Sequence, residues 1–405
     1  MPVGNVSFPD MLPIAGIRLA VAEAGVRYPN RKDLCLFELC PGTTTAAVFT
    51  TNLFCAAPVT LSKSHLGKVS PRYLLINTGN ANAGTGELGM QAAIDCCKSL
   101  ARITQVQAEE VLPFSTGVIG ELLPTDRIQQ SLVSLVENLA DDHWPQAAQA
   151  ILTTDIVPKG YSAEIRVGGR AVRISGIAKG SGMIHPNMAT LLAYIATDAA
   201  IDQRLLQSLL SDCVQESFNA ISVDGDTSTN DSLLLMATGK SGISFSKDHP
   251  EDLQLFKDAL QQACVSLAQL VVRDGEGATK FVTVQIEGGT SKEECRQIGF
   301  AIAHSPLVKT ALFASDPNWG RILAAIGRAG VADLAVSELE IFLGEVCIVA
   351  KGGRAASYTE ELGKAEMTKD EILIRVDLHR GEFCQSIWTC DFSYDYVRIN
   401  ADYRS

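Results

Sequence analysis

The sequence predicts an α/β protein of at least two structural units. Short apolar runs bounded by Gly, Pro, Asn and Asp, the pattern of strands, alternate along the chain with stretches of helical period. The pattern of strand, helix and strand restarts near residue 281. The length of 405 residues also exceeds the ~100–200 that one domain usually holds. With 46% hydrophobic and 20% charged residues the chain folds rather than staying disordered. Its net charge of −12 and the absence of any basic stripe argue against a nucleic-acid partner.

Eleven cysteines are scattered, several inside apolar runs, with no Cys-x-x-Cys pair. This usage fits buried free thiols in a reducing compartment and no metal centre. The N-terminal stretch lacks a basic region followed by an unbroken apolar core, so no signal peptide is expected. No apolar run approaches the ~20 residues that span a bilayer. The expected location is the cytoplasm, without membrane association or cofactor.

In order, residues 17–39 hold short strands broken by Gly25, Pro29, Asn30 and Asp33, and TAAVFTT supplies another. Tyr73–Asn77 is a buried strand ending in a loop of small residues, and 90–103 has helical spacing. Gly84, Gly86 and Gly89 match G-x-G-x-x-G. Six residues separate Gly84 from the strand, so a pocket-lining loop fits better than a dinucleotide site. After VLPF come Thr116 and Gly117, at a turn whose backbone N–H groups can face an anion. Helices follow at 126–140 and 143–152, then a hairpin turning at Gly168–Gly169. That hairpin delivers the chain into KGSGMIHPNMATLL, residues 179–192.

This Gly-rich segment ends in Thr190 and passes at once into the apolar run LLAYIATDA. Taken alone it has two readings. One is a loop feeding a core strand, with Thr190 packed as a β-branched residue. The other is a nucleophile held rigidly at the edge of a core. A helix spans 202–216, and a polar loop from 219 to 235 carries Asp224, Asp226 and Asp231. The loop lacks the glutamate a calcium loop places at its twelfth position, so hydrogen bonding beside a site fits it better. The helix 251–270 leads through the polar turn 274–280 into a strand. A helix at 291–304, the strands of LEIFLGEVCIVA, and a final long hairpin turning at Arg380–Gly381 complete the chain.

The motifs STG, KGSGMIHPNMAT, DGEGATK, SDPNWGR and INADYRS occur in this order across nearly the whole chain. In combination they resemble the ornithine acetyltransferase family. That family is also described as the bifunctional glutamate N-acetyltransferase and amino-acid acetyltransferase of arginine biosynthesis. The resemblance implies a four-layer αββα sandwich similar to N-terminal-nucleophile hydrolases but with its own connectivity. Applied to this chain, it gives a core of residues 1–280 and a smaller C-terminal α/β domain, 281–405, whose tail closes the site. It implies self-cleavage between Ala189 and Thr190 into an α chain of 1–189 and a β chain of 190–405, assembled as a heterotetramer of two of each.

The implied reaction moves the acetyl group of N-acetylornithine to glutamate, and the resemblance leaves open whether acetyl-CoA is accepted as well. Thr190 would be the nucleophile and, through its freed amine, the base. The Thr116 hydroxyl and the Gly117 N–H would form the oxyanion hole. Thr154, Lys179, Thr190, Glu276, Asn400 and Ser405 would bind substrate. Asp316, Asn318 and Arg321 are assigned structural support, and Asp224 and Asp226 support for the site. The competing expectations are an amidohydrolase or aminopeptidase with the same kind of nucleophile, and an uncleaved amino-acid-binding protein.

Overall fold

The computed structural model describes residues 1–185 and 191–402. The elements run β1 (Ile17–Ala22), β2 (Leu34–Leu39), β3 (Thr44–Phe49), α1 (Ala57–Leu66), β4 (Tyr73–Asn80), α2 (Gly86–Thr104), β5 (Val111–Val118), α3 (Thr125–Glu137), α4 (Trp144–Ala150), β6 (Lys159–Val167), β7 (Arg170–Lys179) and β8 (Leu192–Thr197). They continue with β9 (Ala200–Ile201), α5 (Gln203–Gln215), β10 (Ser232–Ala237), β11 (Ser244–Phe245), α6 (Pro250–Arg273), β12 (Phe281–Gly289), α7 (Lys292–Ala303), α8 (Pro306–Phe313) and α9 (Trp319–Gly327). Last come β13 (Glu340–Leu343), β14 (Val346–Ala350), β15 (Gly353–Arg354), α10 (Glu360–Met367), β16 (Glu371–Asp377), β17 (Phe383–Cys390) and α11 (Tyr394–Ala401).

Two sheets face each other through period-two side chains. One has the order β1-β2-β4-β5 and the other β3-β10-β8-β7-β6. Between them Leu74 and Ile76 of β4, Phe37 of β2 and Phe114 of β5 pack on Tyr194 of β8 and on Leu234 and Met236 of β10. The alternate residues face outward. Tyr73 and Leu75 meet Leu100 of α2 and Leu132 of α3. On the far side Ile195, Leu233 and Leu235 meet Leu209 of α5 and Leu260 and Leu267 of α6. Strands apolar on both faces are what a sheet covered on both sides requires. The result is the four-layer αββα order expected above: helices, sheet, sheet, helices.

A third sheet, β15-β14-β13-β16-β12-β17, is built from residues after 280 and packs its own apolar cluster against α7, α8 and α9. Asn318 caps α9, its Oδ1 accepting from the Arg321 amide at 3.2 Å, while the Arg321 guanidinium donates to the Leu307 carbonyl at 2.8 Å.

Three expectations are corrected here. The final segment is not one long hairpin. β12 lies between β16 and β17, parallel to the first and antiparallel to the second, so the turn at Arg380–Gly381 crosses over a strand. Residues 394–401, expected as strand, form α11, whose first turn is capped by the Ser393 hydroxyl accepting from the Asp395 amide at 3.1 Å. The Ser393 cap starts a helix after Cys390, and this local signal decides the segment's form. The loop expected through residue 235 stops at Asp231, because Leu233–Met236 is apolar on both faces and sits centrally between β3 and β8. Among the described residues no helix is long and apolar enough to cross a membrane.

Candidate active site

One pocket forms where the ends of the two facing sheets meet. Thr116 and Gly117 arrive on β5 of the first sheet, and Lys179 arrives at the end of β7 of the second. Thr153 and Thr154 come from the loop after α4, and Ser228, Thr229 and Asn230 from the loop before β10. Glu276 follows α6, and Asn400 on α11 closes one wall. The pocket thus gathers Thr116, Gly117, Thr154, Lys179, Glu276 and Asn400, which are far apart in sequence. Ala189, Thr190 and Ser405 lie outside the described residues. Leu191, next to Thr190, is buried, and its amide donates to Asp231 Oδ1 at 2.9 Å.

Two glycines are required by close approach. Gly117 sits at φ +136° directly opposite Gly79 in the parallel β4–β5 ladder, and a Cβ on it would overlap the Gly79 backbone. Its N–H therefore belongs to a backbone conformation that other residues rarely adopt. At Gly182 a Cβ would come within 2.6 Å of the Glu276 carboxylate. The absence of a side chain there lets Glu276 lie against the loop that precedes Thr190. Glu276 is fixed from both ends: its amide donates to the Ser181 carbonyl at 2.8 Å, and its Oε2 accepts from Asn400 Nδ2 at 2.8 Å.

Lys179 is buried and lies among oxygens. Its Nζ donates to Thr153 Oγ1 at 2.7 Å and to Thr116 Oγ1 at 3.5 Å, and lies 3.6 Å from Asp155 Oδ2. Burial lowers its pKa, opposed by the charge of Asp155. Behind it, Lys159 Nζ lies 2.6 Å from Asp155 Oδ1 and 2.6 Å from Asp274 Oδ2, with all three side chains fully buried. Two ammoniums and two carboxylates thus neutralise one another beneath the pocket. Burial works to raise the Asp155 carboxyl, but Lys159 and Lys179 outweigh it and hold it well below the usual carboxylate range. Such a cluster is costly to break, because removing one member strands a buried charge.

Sequence reasoning missed Thr153, Asp155, Lys159, Asp274, Ser228 and Asn230. Thr153 and Asp155 lie beside the recognised Thr154, but that run shows only as a helix ending. Nothing local marks Lys159 as buried.

The Asp224 carboxylate, expected as a supporting group, grips the loop leading to Thr190. It accepts from the amides of Met183 at 2.6 Å, Ile184 at 2.9 Å and Asp226 at 3.1 Å. Met183 is held at φ +53°, an uncommon conformation for a side-chain-bearing residue. Burial pushes the Asp224 carboxyl up to about 6, against the lowering pull of those amides. Between its ordinary value near 3.8 and about 6, the folded chain therefore holds the proton more tightly than the unfolded chain. This group's contribution makes stability fall as pH rises through that window and leaves it level above. In Asp224→Asn, which cannot ionise, the apparent melting temperature is expected to gain on the wild type between about pH 4 and pH 6, then run parallel. Parallel behaviour across the whole range would contradict this assignment.

Residues 18–405 match the ArgJ family model. The chain is 52% identical over 406 residues to the arginine biosynthesis bifunctional protein ArgJ of Pseudomonas fluorescens, with all of both chains covered. It is 55% identical over 408 residues, again with full coverage of both, to the protein of the same name from Psychrobacter arcticus. A crystal structure of the arginine biosynthesis bifunctional protein argJ from Bacillus halodurans matches 51% of this chain and 97% of its own at 41% identity, with a TM-score of 0.49.

Proposed function

The chain belongs to the ArgJ family, and from that premise we propose that it moves the acetyl group of N2-acetyl-L-ornithine to L-glutamate through an acetyl ester on Thr190. It is then a glutamate N-acetyltransferase of cyclic arginine biosynthesis. The observation that supports this best is the convergence of Thr116, Gly117, Thr154, Lys179, Glu276 and Asn400 on one pocket, at the end of the loop leading to Thr190.

A threonine hydroxyl is a poor nucleophile near neutral pH and needs a base. Cleavage of the Ala189–Thr190 bond supplies one. The freed α-amine has an ordinary pKa of roughly 7.7–8.0, and a neighbouring ammonium such as Lys179 lowers it, keeping more of it neutral. The amine takes the hydroxyl proton as Oγ attacks the acetyl carbonyl. The oxyanion is met by the Thr116 hydroxyl and the Gly117 N–H. Because Lys179 Nζ already donates to Thr116 Oγ1, the Thr116 O–H is left to donate toward the oxyanion. The tetrahedral species collapses, ornithine leaves with the proton, and the glutamate amine then takes the acetyl group.

Lys179 carries the charge that suits the α-carboxylate common to both amino acids. Glu276 carries the charge that suits the ornithine side-chain ammonium, and Asn400 orients it. The two-chain form, its α₂β₂ assembly and a boundary near residue 280 complete the proposal.

The test is to incubate pure protein with N-acetylornithine, with and without glutamate. Sustained ornithine release only with glutamate is expected. Release that ignores glutamate would make the protein an amidohydrolase, and a single uncleaved band without turnover would favour a binding protein. In Glu276→Gln the KM for N-acetylornithine should rise by about 10-fold or more, the size of a lost charge-assisted hydrogen bond. The KM for glutamate should change little. An equal rise in both would remove Glu276 from the side-chain subsite.

A further inference from the structure

The stretch that holds the proposed cleavage bond is gripped at both of its described ends by one loop. Upstream, the Ile184 carbonyl accepts from the amides of Val223 at 3.0 Å and Gly225 at 3.4 Å and from the Ser222 hydroxyl at 3.1 Å, beside the Asp224 bonds given above. Downstream, the Leu191 amide rests on Asp231, and the Leu191 carbonyl accepts from the Ser232 amide at 3.1 Å. The side chains of Ile184 and Leu191 are both buried. Residues 186–190 therefore run between two fixed points, which limits the conformations open to them.

The C-terminal unit reaches this clamp by two routes. Strand β17 supplies the first: the Trp388 carbonyl accepts from the Ser222 amide at 2.9 Å, and Ile221 pairs with Trp388 in an isolated bridge. The second is a stack of rings. His304, the residue that ends α7, has its ring centre 5.2 Å from that of Phe300 and 4.7 Å from that of His185, with planes inclined by 25° and 21°. His185 immediately precedes the stretch 186–190. Burial, followed by the charges of His185, Lys309 and Arg328, lowers His304 to about 3, so its ring is neutral near pH 7. Neither His185 nor His304 lines the pocket described above.

We propose that His304, a residue of the C-terminal unit, is a positioning residue for self-cleavage in the core: through the ring of His185 it sets the approach of the Thr190 hydroxyl to the Ala189 carbonyl. This rests on the self-cleavage proposed above. Thr190 Oγ attacks the Ala189 carbonyl carbon, the C–N bond gives way to an ester, and the amine takes the hydroxyl proton. Water then hydrolyses the ester to the Ala189 carboxylate and the Thr190 hydroxyl. Such an attack needs reacting atoms about 3–3.5 Å apart, and a misplacement of about 1 Å can cost on the order of 10²-fold in rate. After the cut, β8 and the Leu191–Asp231 bond hold the new terminus, so the ring stack serves cleavage and not acetyl transfer.

The experiment follows the labelled full chain, made in a cell-free system and chased, as the 43.3 kDa band gives way to two fragments. In His304→Ala the half-time should lengthen roughly 10–100-fold. His304→Phe, which keeps a flat ring, should return it to within about 3-fold of wild type. His185→Ala should slow the cut as much as His304→Ala, and the double variant should be within about 2-fold of either. Per cleaved site, kcat and the KM for N-acetylornithine should stay within about 2-fold of wild type in every variant. A wild-type half-time in His304→Ala would overturn the proposal. So would a His304→Phe as slow as the alanine variant, or a double variant in which the two single effects multiply. Turnover per cleaved site that fell in step with cleavage would make the stack a packing element of the whole site and overturn the proposal too. A wild type that never cleaves would bring down self-cleavage itself, whereas a cleaving wild type beside an indifferent His304→Ala would leave that reading standing.

Discussion

Thr190→Ala should leave the chain as a single 43.3 kDa band and without measurable acetyl transfer, a loss on the order of 10⁶-fold in kcat. Both outcomes follow from one atom. The hydroxyl is proposed to attack the Ala189 carbonyl in cis and later the acetyl carbonyl in trans, and without it neither ester forms. The fold should survive. Leu191 keeps its bond to Asp231, β8 stays packed between β7 and β10, and Asp224 still holds the amides of Met183 and Ile184. Thr190→Ser, which keeps the hydroxyl, should cleave and turn over at reduced rate. A gel and an ornithine-release assay decide it. A Thr190→Ala protein that still transferred acetyl groups would place the nucleophile elsewhere.

Thr116→Ala is the second large effect expected, a fall in kcat of about 10²–10³-fold with KM nearly unchanged. The selectivity for kcat follows from geometry. Thr116 lies at the end of β5, its Oγ1 already occupied as acceptor by the Lys179 ammonium, so the hydroxyl proton is what it can offer. That donation matters only when negative charge has built up on the substrate oxygen. Thr116→Ser should restore most of the rate, since it keeps the donor. A variant that raised KM while sparing kcat would make Thr116 a substrate-binding residue. A loss that serine did not recover would point to packing around the threonine methyl.

In the two facing sheets β2, β4, β7 and β8 were legible as apolar runs bounded by turn residues, whereas β10 was read as loop as far as residue 235; Gly168–Gly169 marked its hairpin correctly. The path after Cys390 was not. Its residues alternate as a strand would, yet the sheet ends at β17 and the Ser393 cap turns the chain into helix. Register between distant strands is set by tertiary packing, which is why the neighbours of β12 could not be read from local pattern.

Within the site, Thr116, Gly117, Lys179, Glu276 and Asn400 were found in sequence because motifs carry them, and Thr154 came through the family resemblance alone. The supporting ions were not. Asp155, Lys159 and Asp274 look like ordinary solvated charges until the fold buries them together, and burial is a property of the assembled layers. Gly182 is similar. As sequence it is one more glycine in a loop, whereas in the fold it is the position that lets Glu276 approach.

The acetyl ester on Thr190 is the central claim, and peptide mass mapping tests it directly. Protein mixed with N-acetylornithine without glutamate, then quenched in acid, should carry one acetyl group on the hydroxyl of an N-terminal Thr190 peptide. Adding glutamate before the quench should remove it. An unmodified Thr190 peptide during turnover, or an acetyl group that glutamate does not discharge, would contradict the mechanism.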